Sequence, residues 1–167
     1  MLGIIIEDMR TQSEGLLSQG FWALLVYRVA HRRLRCKIPI IRQLWYIFNR
    51  IGQKLIEIST GIMLPESATI GRRLRIEHFG SIIIHGGTIV GDDCIIRQGV
   101  TLGIRQLDLP NLAPTLGNRI EVGAGAKLLG GINVGDGATI GANAVVIQDV
   151  PAGALAVGVP ATIRYRL

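Results

Sequence analysis

Along the first third of the chain the apolar positions fall at helical spacing. Leu16, Leu17, Phe21, Leu24, Leu25, Tyr27, Val29 and Ala30 form one dense segment, with no glycine inside it after Gly20. A second runs from about Ile40 to Ile58 through Leu44, Trp45, Ile47, Phe48, Ile51, Leu55 and Ile56. Lys37 to Pro39 separates the two, because a proline disfavours helix at the residue before it. The pattern predicts an N-terminal helical segment of two helices over residues 1–58, packed as a hairpin or against the main body.

From Ser59 onward the period changes to six. Aliphatic residues recur at Leu64, Ile70 and Ile76, at Ile84, Val90, Ile96 and Leu102, and at Leu116, Val122, Leu128, Val134, Ile140 and Val146. Glycine often follows, as at Gly71, Gly91, Gly117 and Gly135, and a small residue often lies two places earlier, as at Ala68, Cys94, Ala126 and Ala144. Neither the helical period of about 3.6 nor the strand period of 2 produces this spacing. A solenoid of short strands does, with one aliphatic side chain per hexad pointing inward and stacking on its equivalent one coil away. Residues 59–167 therefore read as a parallel β-helix, and the chain as mainly β behind a short α-helical segment.

The repeat is interrupted twice. A two-residue slip between Ile76 and Ile84 contains Glu77, His78, Phe79, Gly80 and Ser81. Between Leu102 and Leu116 the spacing is 14 where two hexads need 12, and the intervening stretch carries Pro110 and Pro114. It reads as a protruding loop over residues 104–115, and loops that leave a rigid scaffold commonly carry binding sites.

Composition narrows the function. The chain has 167 residues, 49% hydrophobic but only 5% aromatic, with 22 glycines, which excludes a disordered chain and suits a repeat. Its formal charge is +6, and residues 1–58 hold nine basic against four acidic side chains, so the helical segment could meet anionic lipid through its basic faces or simply be solvated there. Cys36 and Cys94 lack ligand spacing and read as reduced thiols. No apolar run approaches the roughly 18 residues of a spanning helix. Glu7, Asp8 and Arg10 also follow Leu2–Ile6 too closely for a signal peptide, so a cytoplasmic protein is expected, at most peripheral at the inner membrane face. No stacking platform or reader motif points to nucleic acid.

Three histidines are present. His31 lies beside Arg32 and Arg33 and reads as a surface residue, whereas His78 sits in the first interruption after Glu77. A neutral imidazole near pH 7 can take a proton from a hydroxyl.

The runs Ile70-Gly71-Arg72-Arg73 through Glu77-His78, Gln98-Gly99-Val100-Thr101-Leu102-Gly103 and Val122-Gly123-Ala124-Gly125-Ala126-Lys127 closely resemble serine acetyltransferases. So do Ile140-Gly141-Ala142-Asn143 and Val157-Gly158-Val159-Pro160-Ala161. The resemblance covers about residues 60–164. The chain length and the opening Glu7-Asp8-Met9-Arg10, then Tyr27-Arg28-Val29-Ala30-His31, look more like the colanic-acid and exopolysaccharide branch. The resemblance implies a left-handed β-helix, a homotrimer, and acetyl-CoA bound between neighbouring subunits, with no metal. His78 matches the general base that deprotonates the acceptor hydroxyl, with no acyl-enzyme. Gly103, Ala124 and Ala142 match small positions along the pantetheine arm, although hexads favour small residues in any case. Arg164 could meet a CoA phosphate or be solvated.

Three departures bear on the acceptor. Where the family has an aspartate 15 residues before the histidine, this chain has Met63. Where the family holds the serine carboxylate with an Arg-His pair before a proline, it has Leu112 and Ala113 before Pro114. The helical domain is shortened to about 58 residues. Glu77 remains as an acid beside the base, either orienting His78 or contacting the acceptor. A sugar hydroxyl, free or lipid-linked, in exopolysaccharide or capsule biosynthesis is the favoured acceptor, and L-serine is the alternative. A zinc lyase on the same scaffold would need a third histidine beside His78 and His85, and an idle scaffold subunit would not respond to loss of His78.

Overall fold

The computed structural model describes residues 1–106 and 112–165. Of the expected loop 104–115, residues 107–111 lie outside the described residues. The helical segment holds three α-helices rather than two: α1 (Leu2–Thr11), α2 (Gln19–Arg33) and α3 (Pro39–Thr60), with a 3-10 turn at Gly15–Leu17. The sequence reading did not separate α1, whose apolar residues Ile4, Ile5 and Met9 are only half-buried and whose one fully buried side chain is the charged Asp8. Leu16 and Leu17, read as part of the first helix, lie in the 3-10 turn and are exposed. Pro39 starts α3, where its missing N–H costs nothing, and Gly61 ends it in the left-handed conformation.

Among the described residues fifteen short strands follow: β1 (Ile62–Met63), β2 (Thr69–Ile70), β3 (Arg75–Glu77), β4 (Ile82–Ile84), β5 (Ile89–Val90), β6 (Ile95–Arg97), β7 (Thr101–Gly103), β8 (Thr115–Leu116), β9 (Glu121–Val122), β10 (Lys127–Leu129), β11 (Asn133–Val134), β12 (Thr139–Ile140), β13 (Val145–Val146), β14 (Leu155–Val157) and β15 (Thr162–Arg164). They form three sheets, ordered β1-β4-β7-β10-β13, β2-β5-β8-β11 and β3-β6-β9-β12-β14-β15. Every pairing is parallel except β14 with β15. This is the parallel β-helix that the hexads predict.

The register explains the period. Ile76 stands on Ile96 and Val122, and Ile84 on Leu102 and then Leu128, so each sheet stacks one aliphatic residue per coil. All thirteen aliphatic hexad positions are buried. The small residues two places earlier, such as Ala68, Cys94, Ala126 and Ala144, are buried as well, so each hexad sends two side chains inward. Glycine after the aliphatic position is required where coils touch. A Cβ on Gly91 would lie 2.4 Å from the carbonyl oxygen of Gly117, a backbone atom of the next coil. Gly91→Ala should therefore cost about 1–3 kcal/mol, read as a lowered Tm, and an unchanged Tm would contradict this packing.

The slip between Ile76 and Ile84 is two residues, as read, and it falls at the corner between the third sheet and the first. The second interruption is larger than the sequence reading of two hexads plus two residues. Leu102 and Leu116 occupy consecutive sheets, as Ile84 and Val90 do, so a single six-residue step carries eight additional residues. Hexad counting alone does not separate these cases, because 14 is compatible with either.

A solenoid's first coil leaves edge strands whose backbone groups need partners. Helices α1 and α2 cover that edge. Tyr27 Oη donates to the Ala68 carbonyl at 2.8 Å and accepts from the Ile70 N–H at 3.1 Å. Gln12 donates to the Leu74 carbonyl and accepts from the Ile76 N–H. Arg28 donates to the carbonyls of Ile70 and Gly71 while pairing with Asp8. His31, expected at the surface, is half-buried, with Nδ1 2.8 Å from the Glu66 carbonyl, because α2 lies along this edge and Arg33 pairs with Glu66 beside it. At the far end β15 turns back to pair with β14. Both cysteines are free, and burial pushes the Cys94 thiol up.

Candidate active site

The corner between the third and first sheets is a column of stacked turns. The Gly99 N–H donates to the Gly80 carbonyl at 2.9 Å, the Gly125 N–H to Gln98 at 2.8 Å, and the Asn143 N–H to Ala124 at 2.8 Å. Each coil needs a left-handed residue here, and Gly99, Gly125 and Asn143 supply it with φ of 74°, 73° and 56°. In the first coil the two additional residues swell the turn. His78 takes a left-handed φ of 59°, Gly80 109° and Ser81 54°. A histidine in this region costs on the order of 1 kcal/mol, a cost that Arg73, Asp93 and Arg119 also bear in other turns of the solenoid.

His78 is exposed on this swollen turn, and Phe79 beside it is 53% exposed. The pair faces a cleft of about 510 Å³ whose other wall comes from the helical segment: Ser13, Glu14, Ser18 and Gln19. None of these was legible as a site residue, because the join between the 12–19 turn and the first coil is tertiary. The cleft offers hydroxyl, amide and carboxylate groups, which suit a polyhydroxylated ligand.

Glu77 lines the same cleft and pairs with two arginines. One carboxylate oxygen is 2.8 Å from Arg75 and the other 3.0 Å from Arg97 on the next coil. Among the described residues nothing hydrogen-bonds the His78 ring, and Met63, at the position of the family aspartate, lies on β1 as a half-exposed apolar side chain. Glu77 therefore fixes the strand that carries His78 without touching the imidazole.

The remaining sequence candidates fall into two groups. Ala124, half-buried, and Ala142, exposed, stack on the same corner as His78, two and three coils away, with Lys127 donating to the Gly99 carbonyl within the column. At about 4.8 Å per coil, Ala142 stands roughly 14 Å along the column from the histidine turn. Gly103 ends β7, at the opposite edge of the first sheet, beside Leu129. Arg164 is exposed on β15, opposite Leu155. Gly103 and Arg164 are thus separate from the column within one chain. Leu112 is exposed and Ala113 buried at the base of the long loop. Leu112 lines a groove of about 240 Å³ with Arg105, Gln106 and Ile147, and Arg105 is a cation that the motif comparison passed over because it is not aligned with the family's Arg-His pair. Among the described residues no His, Cys, Asp and Glu side chains gather into a metal-holding group.

No protein-family model matches the chain. Similar proteins are numerous. The chain is 45% identical over 146 residues to the serine acetyltransferase of Helicobacter pylori strain J99, across 87% of this chain and 81% of that protein. It is 37% identical over 163 residues to the colanic acid biosynthesis acetyltransferase WcaB of Escherichia coli K12, across 96% and 98%. Other serine acetyltransferases are longer, and the chain spans 57% of one of them. A solved serine acetyltransferase in complex with CoA superposes with a TM-score of 0.84 at 29% identity, over 98% of this chain and 69% of that one. The histidine corner, the hexad register and these similarities agree: the chain belongs to the serine acetyltransferase family of hexapeptide-repeat acetyltransferases and folds as their left-handed parallel β-helix.

Proposed function

We propose that the protein transfers the acetyl group of acetyl-CoA to a hydroxyl of a sugar, free or lipid-linked, during exopolysaccharide or capsule assembly in the cytoplasm. The observation that carries the reading is the exposed His78 on a swollen corner, at the head of a column of small residues. His78 takes the proton from the acceptor hydroxyl as its oxygen attacks the thioester carbonyl. The tetrahedral oxyanion collapses to the ester, and the proton leaves with the CoA thiol. A backbone N–H of the corner steadies the oxyanion, usually the largest electrostatic contribution in such steps.

Ala124 and Ala142 leave the corner flat, so that a pantetheine arm can lie along it toward His78. A homotrimer brings a neighbouring chain against this column, which gives Gly103 and Arg164 a place on the far wall of the groove. There Arg164 can pair with a CoA phosphate. Substituting Ala142→Trp tests this path. CoA affinity should fall at least about tenfold by calorimetry, since the indole fills the channel, while circular dichroism should show the coil still folded because residue 142 lies outside the core of the single chain. Undiminished CoA binding would remove the column from the site.

The acceptor reading rests on Leu112 and Ala113, which cannot hold a carboxylate, and on the cleft beside His78, where Glu14 would repel one. The match to WcaB across 96% of this chain and 98% of that protein supports the sugar. L-Serine is the second reading, favoured by the 45% identity to a serine acetyltransferase and by Arg105 in the loop groove.

A further inference from the structure

Helix α3 presents a full-length apolar face that no described part of the chain covers. Ile40, Leu44, Ile47, Ile51, Leu55 and Ile58 recur at three- and four-residue steps and, with Phe48, occupy one sector of about 100°. All seven are exposed, Ile40, Phe48 and Ile58 to 74–75%. The helix docks through a different side, where Asn49 and Thr60 are buried and Ile56 packs on the core. Its 22 residues give an apolar strip about 33 Å long.

Charge says what covers the strip. Arg50 and Lys54 flank it along one edge, and the exposed Arg32 at the end of α2 and Arg35 and Lys37 in the connecting turn precede it. Glu57, which Lys54 reaches at 3.0 Å, is the only acid on the helix. Two such faces paired about a twofold axis would set these cations against one another, whereas an anionic bilayer supplies the opposite sign. The polar side excludes spanning, and no helix among the described residues is long and apolar enough to cross a membrane. We infer that α3 is an interfacial anchor that lies in the plane of an anionic lipid surface, with Phe48 and Leu55 inserted and Arg50 and Lys54 at headgroup level. The expectation from sequence concerned basic faces alone; the inserted element is the uncovered apolar sector. The inference is independent of the acceptor, since acetyl transfer to a soluble substrate does not require it.

Co-sedimentation of the full chain with phosphatidylglycerol–phosphatidylcholine vesicles, and with phosphatidylcholine alone, tests it. The wild type should bind the anionic vesicles. Phe48→Ser with Leu55→Ser should weaken binding about a hundredfold at any salt concentration. Arg50→Gln with Lys54→Gln should weaken it about thirtyfold at low salt and little at high salt. Circular dichroism should show both variants folded, and light scattering should give them the mass of the wild type. Absence of wild-type binding, or binding indifferent to Phe48 and Leu55, overturns the anchor. So does a change of mass in the Phe48/Leu55 variant, which would make α3 a contact between copies of the chain.

Discussion

Replacing His78 by alanine should lower acetyl transfer by about 10²–10⁴-fold while leaving CoA affinity and Tm close to the wild-type values. Among the described residues His78 is the one imidazole that lines this cleft. Glu77 is neutralised by Arg75 and Arg97, and Met63 stands at the family's aspartate position. Stability should be insensitive because the ring is exposed and, among the described residues, holds no hydrogen bond that the fold would lose. The left-handed φ of 59° needs a control, and His78→Asn supplies one: asparagine tolerates this region but is no base. Both variants should fall alike. Recovery of activity in His78→Asn would mean that the corner's shape, rather than proton transfer, had been lost in the alanine variant.

Arg28→Ala should be the most damaging single change to stability, at about 3–5 kcal/mol in urea or thermal unfolding. Its side chain is 8% exposed, and the guanidinium lies 2.9 Å from Asp8, whose side chain is 1% exposed, and also holds the carbonyls of Ile70 and Gly71. Removing it strands a carboxylate in the interior and leaves two edge carbonyls without a donor. Replacing the pair together, Asp8→Leu with Arg28→Met, should cost less than Arg28→Ala alone, since no charge then remains buried. A double variant weaker than the single one would mean that the edge carbonyls, not the ion pair, dominate the joint.

The solenoid was legible because one aliphatic residue per hexad, one for each of the three sheets, imposes a period of six that neither helix nor flat strand produces, and Leu64 through Val146 keep to it apart from the two interruptions. His78 was legible for the opposite reason, as the residue where that period breaks. Other features depend on contacts remote in sequence. α1 carries its information in Asp8, whose meaning comes only from Arg28, 20 residues away. The cleft wall from Ser13 to Gln19 is joined to His78 by the way α2 covers the first coil. Glu77 next to His78 suggested an orienting acid, but its true partners, Arg75 and Arg97, are set by strand direction and by the neighbouring coil. The eight-residue insertion was undercounted because spacing alone does not say which sheet a hexad enters.

The central claim is acetyl transfer to a sugar hydroxyl at the His78 corner. Its most direct test is CoA release from acetyl-CoA with L-serine and with nucleotide- and lipid-linked sugars offered separately to one preparation. Turnover with a sugar is expected, at a kcat/KM above that for L-serine, and its loss in His78→Ala. Turnover with L-serine alone, or turnover that survives in His78→Ala, would contradict it.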